Sequence, residues 1–424
     1  MFENVIGNKK LTTSIKEDIK NGLLPSSILL VGETFVGKLT TALEIARVLN
    51  CYNEGAWDCT CKSCMQSRAV LSPDVLIIGS KDCSIEIKAS SEVILRDKSL
   101  HSYYLFLRAV RKLTIRFDST LWDENDSNFT KATTLLKDIE ESLNDISPSN
   151  IETYDEKKLD ALITGIVKKC DKLSQECMYD SIPVNQVRNA ISWIHLMANE
   201  KRKILIIENA QRMQEGARNA FLKVLEEPPS YSNFILTSNN KNAIMPTILS
   251  RVRPYTFIKR TKEEEEDVLH RVFKHSSNVQ GLDNFGLLPS FFYSYLPSSY
   301  EVINKMSILL WKYIFSKVNG NNFSQLKNTL ESYEIESEED LTIYSIINGI
   351  NKCKPSIIYE LFLQCFINVL HSALIEGAFA PRELETFKLI LECSQKAKTK
   401  VELFNLNVQS VLEELVFEIR ELLK

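Results

Sequence analysis

The sequence predicts an α/β P-loop domain built on a parallel sheet, followed by a second half that is all helix. Three observations carry this. Short apolar runs alternate with helical patterns through residues 1–258. One of the runs leads straight into a glycine-rich loop and then a helix, the context a phosphate-binding loop requires. From about residue 259 strand signals fade, and apolar positions recur at helical spacing to the end.

The first run, "SILLV" (27–31), lies between Pro25 and Gly32 and reads as a buried parallel strand. "GETFVGKLT" (32–40) follows, with Gly32, Gly37 and Lys38 at P-loop spacing. "KLTTALEIARVLN" then sets Leu39, Ala42, Leu43, Ala46 and Leu49 on one helical stripe. Three further strands are expected in "SPDVLIIG" (72–79), "KILIIENA" (203–210, opened by the basic cluster "EKRK") and "NFILTSNN" (233–240). Between the last two, "QEGARNAFLKVLEEPP" reads as a helix with Ala217, Phe221 and Leu225 inward, ended by Pro228-Pro229. The stretch from about 84 to 180 reads as a helical insertion, with helices in "YYLFLRAVRKLTI" and "KATTLLKDIEESLNDI" and polar turns in "DSTLWDENDSN" and "SPSNIETYDE". Beyond 259, "TKEEEEDVLHRVF" has the acids of a helix start, and Glu263–Asp267 is expected to be a solvated face rather than a docking surface. "NVQSVLEELVFEIRELL" carries Val411, Leu412, Leu415, Ile419 and Leu422 on one stripe.

At 424 residues the chain exceeds one ordinary core and suggests two to four domains. Its 44% hydrophobic and 25% charged residues are those of a globular protein. A net charge of −4 does not mark the whole chain as a polyanion binder, so contact with nucleic acid is expected from a local basic patch or from partners. No apolar run is read as approaching the ~18–20 residues of a membrane span. The opening residues have no basic stretch followed by an apolar one, so a cytoplasmic protein without signal peptide is expected.

Ten cysteines are present. Cys83, Cys170, Cys177, Cys353, Cys365 and Cys393 are scattered and read as reduced, partly buried thiols. Cys51, Cys59, Cys61 and Cys64 crowd into "CYNEGAWDCTCKSC", spaced C-x7-C-x-C-x2-C. Four thiolates close a tetrahedral structural Zn²⁺ site and leave no open position for chemistry. The alternative is four buried thiols without metal.

The loop's chemistry is incomplete. A P-loop lysine neutralises phosphate oxygens, and the Ser/Thr that follows ligates Mg²⁺. Here Leu39 stands in the hydroxyl's place, and Thr40 is turned ~100° away on a helix. On the third strand, "ILIIENA" supplies Glu208, whose longer arm could reach a metal, and then Asn209, which cannot act as a general base. Loss of a positioned base costs about 10²–10⁴ in rate. The two defects agree, so ATP turnover by this chain is not expected. Nucleotide binding without turnover, and a glycine turn that merely joins strand to helix, both remain open.

With "VGETFVGKLT", the cysteine cluster, "VNQVRNAISWI", "ILIIENAQRMQEGARNAFLKVLEEPP" and "IMPTILSRVRPYTF" in this order, the chain resembles the bacterial clamp-loader AAA+ subunits, the gamma/tau and delta-prime subunits of DNA polymerase III. The likeness covers 1–80 and 181–258 well, 259–424 by helical character alone, and 84–180 not at all. It implies an AAA+ domain over 1–258, a helical lid over 259–318 and a collar-type oligomerisation domain over 319–424. The family's zinc module is usually spaced C-x8-C-x2-C-x2-C, from which this chain departs. Leu39 and Asn209 fall on the delta-prime side, where a degenerate subunit acts as a stator. Ser250-Arg251 then aligns with an S-R-C motif whose arginine reaches a neighbour's ATP site; Val252 replaces the cysteine, and Arg253 lies close by. An exposed salt bridge is the other reading of Arg251. Thr237 matches the sensor position and reads as structural. The resemblance further implies gamma/tau-type ATPase and delta-type partners in a hetero-pentamer, a sliding clamp, primer–template DNA reached through the complex, and no membrane.

Overall fold

The computed structural model describes residues 1–80, 83–146, 148–275, 285–296, 298–316, 323–332, 355–376, 379–404 and 406–423. They form two compact units, Met1–Phe292 and Tyr293–Lys424.

The first unit is built on five parallel strands: β1 (Ser27–Val31), β2 (Val75–Gly79), β3 (Lys203–Glu208), β4 (Ser232–Ser238) and β5 (Arg253–Thr256), in the order β2-β3-β4-β1-β5. The first four are buried over nearly their whole length, with apolar centres, because both sheet faces are covered. Side chains alternate between the two faces. Ile28, Leu30, Ile77, Ile206 and Ile235 face α1 (Lys9–Lys20) and α2 (Lys38–Asn50). Leu29, Val31, Leu76, Ile207 and Leu236 face the other way.

That second face is where the insertion packs. Helices α4 (Ser84–Asp97), α5 (Leu100–Thr114), α6 (Ser127–Asn144) and α7 (Glu156–Cys177) share one continuous core with the sheet through residues such as Ile87, Phe106, Ile139 and Ile163. Polar caps start three of them. Ser99 and Ser102 form a capping box on α5, Asp126 accepts from the backbone N–H groups of Asn128 and Phe129, and Asp155 accepts from that of Lys158. The same face carries α8 (Val184–Ile194) and α9 (Glu215–Glu226). The short α3 (Lys62–Arg68) belongs to the cysteine module, and α10 (Pro246–Leu249) precedes β5.

Two expectations need correction here. β5 lies inside "SRVRPYTF", where Pro254 hides a strand; an edge position tolerates a residue with no N–H. The acidic block also divides. In α11 (Lys262–Arg271), Glu264 completes a capping box with Thr261, but Glu265 is buried and accepts from the backbone N–H of Leu288. It is not a uniformly solvated face.

The described part of the second unit is helical: Tyr300–Ser316, Ser324–Ser332, Pro355–Glu376, Pro381–Phe404 and Val408–Leu423. In the last, Val411, Leu412, Leu415 and Ile419 are buried as the stripe predicts. Contrary to the sequence reading, one window, Ile358–Ile375, is long and apolar enough to cross a membrane, with mean hydropathy 1.5. It is 61% buried within the chain, and Trp311 stacks on its Phe366 at 4.2 Å while donating to the Phe366 carbonyl. This is the packing of a core helix. Of the scattered cysteines, Cys83, Cys170, Cys177 and Cys365 are buried and Cys393 is half-buried. Cys353, like residue 319 at the expected domain boundary, lies outside the described residues.

Candidate functional site

The carboxyl ends of β1, β3 and β4 converge at the glycine loop, where open parallel sheets place their ligands. Gly37 has φ +96°, and a Cβ there would come within 2.8 Å of Arg260 Nη2. At Gly32 a Cβ would lie 2.7 Å from that of Phe257, so space requires Gly32, while the left-handed φ requires Gly37. Lys38 Nζ donates to the carbonyls of Gly32 (2.5 Å) and Glu33 (2.6 Å) and to Asn239 Oδ1 (2.9 Å). Arg260 donates to the carbonyls of Phe35 and Ile6, and burial holds its guanidinium below its ordinary value despite Glu264 and Glu265. Phe35 stacks on Phe292 at 4.6 Å. Leu39 packs against the core beneath the sheet, while Thr40, the next hydroxyl, is half-buried.

Glu208 ends β3 and is 4% exposed. Its carboxylate is bound by Arg116 Nη2, while Arg116 Nη1 donates to Cys83 Sγ. Arg116 sits in the single helical turn Ile115–Phe117 of the insertion. Burial opposes its charge, but Cys83 and Glu208 outweigh it and hold the guanidinium above its ordinary value. Asn209 adopts φ +54°, a conformation asparagine tolerates, and its N–H donates to Thr237 Oγ1 at 3.1 Å. Thr237 therefore fixes the turn that follows the acid.

The four clustered thiols meet at the other end of α2. Their sulfurs lie within 4.8 Å of one another, with Cys51–Cys59 at 3.7 Å and Cys51–Cys61 at 4.0 Å. A tetrahedral zinc with Zn–S of ~2.3 Å requires sulfurs about 3.8 Å apart, so the donor set fits the ion. Cys61 caps α3 and Cys64 lies in its first turn, where the helix dipole favours thiolates. The Cys59 thiol is pulled down to about 6 by the Cys61 backbone and the Asn53 side chain. Burial pushes Cys64 up, with the thiols of Cys51 and Cys61 adding to it and Arg47 opposing. Lys201 and Arg202 of the "EKRK" cluster grip this end of α2. Lys201 donates to the Cys51 carbonyl, and Arg202 N–H donates to Asn50 Oδ1.

Arg251 follows α10. Its Nη1 donates to the Thr247 carbonyl (2.7 Å) and Ser250 Oγ (3.2 Å), and Nη2 pairs with Glu226, the last residue of α9. The side chains of Arg251 and Glu226 are 31% and 52% exposed, so the pair stands at the surface. Arg253 is tied instead to Asp18 at 3.3 Å and lies over the Tyr255 ring. Val252 is buried.

The arrangement gives the Glu208 carboxylate to Arg116 and puts Arg251 in a separate surface pair with Glu226. Sequence reasoning missed Arg116, Asn239 and Arg260, which reach the loop and strand ends across long stretches of chain. The one signal for Arg116 was a lone arginine between apolar residues in "LTIRF".

A glycine loop between an interior strand of a five-stranded parallel sheet and a helix, with an acid ending another strand of that sheet, is the layout of a P-loop domain. The family model described as "DNA polymerase III, delta subunit" matches residues 7–141 and 145–261, so the likeness runs through the 84–180 stretch that the sequence motifs left uncovered. The chain belongs to this family of clamp-loader AAA+ proteins. It is 36% identical over 84 residues to DNA polymerase III subunit delta' of Buchnera aphidicola, covering 20% of this chain and 25% of that protein. It is 39% identical over 61 residues to DNA polymerase III subunit tau of Bacillus subtilis, covering 14% and 11%. An uncharacterized protein of Mycoplasma pneumoniae is 29% identical over 92 residues, covering 20% and 36%. The matches thus span from about a tenth to about a third of these relatives' lengths.

Proposed function

We propose that this chain is a delta-prime-type stator of a clamp loader. It hydrolyses little ATP itself and lends Arg251 to the ATP site of a neighbouring gamma/tau-type subunit. Together with a delta-type subunit they form a hetero-pentamer that loads the sliding clamp on primer–template DNA in the cytoplasm. A lid (259–318) and a collar domain (319–424) would complete the chain, and zinc bound by Cys51, Cys59, Cys61 and Cys64 would be structural.

The observation that carries this reading is the buried ion pair of Glu208 with Arg116. Leu39 offers no oxygen and packs against the core, the Glu208 carboxylate is held by Arg116, and Asn209 supplies no base. Arg251, by contrast, is held by a surface pair. Such pairs contribute about 0–1 kcal/mol, so exchanging Glu226 for a partner's phosphate costs little. An arginine placed on a γ-phosphate is worth about 10³–10⁵ in rate.

The gamma/tau-type motor is the second reading, favoured by the intact Gly32, Gly37 and Lys38 and by the likeness to tau. A non-enzymatic scaffold is the third. In a reconstituted complex, Arg251→Ala is expected to abolish the clamp-stimulated hydrolysis of the adjacent subunit. An unchanged rate sinks the stator reading in favour of a scaffold. Turnover by the isolated chain at the rate of a working AAA+ motor sinks it in favour of the motor.

A further inference from the structure

The P-loop helix ends in the cysteine module: α2 stops at Asn50, and Cys51 is both its C-cap and the first thiol. A helix C-terminus carries partial negative charge. Zinc held by four thiolates is itself an anion, because four charges outweigh the two of the ion. The two lie together, and most of the sulfur is buried.

Lys201 answers the first through the Cys51 carbonyl, and Arg47 meets the second. Arg47, in the last turn of α2, is 2% exposed. It uses all five of its N–H donors. Nε and Nη2 clasp Glu44 at 2.9 and 2.7 Å; Nη2 and Nη1 donate to the Gly55 and Ala56 carbonyls at 2.8 and 3.0 Å; Nη1 also donates to Cys64 Sγ at 3.0 Å. Glu44 takes the far edge of the guanidinium and accepts from Phe2 N–H at 3.0 Å. The carboxylate thereby orients the group so that its other edge meets sulfur. The 55–56 carbonyls belong to the loop between the first and second thiols, so one side chain sets the loop's course as well as a ligand. Asn53 plays the lesser part, with its backbone N–H on Cys51 and its side-chain amide on Cys59.

We propose that Arg47 is the outer-sphere cation of the four-thiol site, positioning Cys64 and making the P-loop helix part of the metal centre. The inference rests on the zinc reading above. Outer-sphere partners of metal ligands are worth about 10- to 100-fold in affinity.

The test is zinc competition between the full chain and a chromogenic chelator, for the parent, Arg47→Gln and Arg47→Lys. Arg47→Gln is expected to bind zinc about 10- to 100-fold more weakly. In the cobalt-loaded form its sulfur-to-metal charge-transfer band should move to lower energy, because the thiolate has lost a hydrogen bond. Arg47→Lys should recover part of both effects. A folded Arg47→Gln chain with parental zinc affinity and an unmoved band overturns the proposal while leaving the zinc reading intact; a parent that binds no zinc overturns both. Should Arg47→Gln fail to fold, the parent loaded with an NMR-active cadmium isotope decides. A coupling between the metal and a guanidinium proton across sulfur supports the proposal, and its absence overturns it.

Discussion

The two ends of α2 make a comparison within one helix. At its N-terminus the residues that would bind a hard cation have been turned to other uses. Leu39 packs half-buried against the core, and Glu208 is neutralised by Arg116. At its C-terminus, 13 residues on, a soft-metal donor set is complete, and its neighbours are arranged around it. Magnesium needs oxygen ligands in near-ideal octahedral positions, and one leucine removes one of them. Four sulfurs from a short loop suffice for zinc. One helix thus carries an incomplete set of oxygen ligands at its start and a four-thiol set that could hold a metal at its end.

Four predictions bear on that contrast, from the largest effect down. Cys64→Ser should remove the metal and cost about 4 kcal/mol or more, the range reached when a structural metal is lost; zinc content and denaturant melts check it, and a chain of parental stability would erase the C-terminal half of the comparison. Glu208→Gln should cost about 3–5 kcal/mol by leaving Arg116 buried without its counter-charge. Arg116→Met added to it should recover most of that loss, which a double-mutant cycle measures. Leu39→Thr should leave ATP turnover by the isolated chain at background, since Glu208 stays bound to Arg116; a clear rise would show that the hydroxyl alone had been limiting. Glu226→Ala should change stability by no more than about 1 kcal/mol, as an exposed pair does.

The sheet was legible where local signals sufficed. β1 to β4 each hold a short apolar run, and the loop is fixed by the places of two glycines and a lysine. β5 was hidden by Pro254, since a strand that is legal only at an edge cannot be recognised before the edge is known. The thiol cluster was legible because its members are near neighbours in sequence. The partner of Glu208 was not: Arg116 is 92 positions away, and only the fold joins them. Asn239 meets Lys38 across 201 positions. Glu226 was visible within "LEEPP", but its pairing with Arg251 was not.

The insertion's sharing of one interior with the sheet has a consequence for how the molecule opens. Amides of β2 and β3 and those of α4 to α7 should exchange with solvent as one cooperative unit, because neither part keeps a closed core without the other. Loosening the insertion would free the Glu208 carboxylate in the same event, so the slowest-exchanging protons of the sheet double as a gauge of whether Arg116 is still in place.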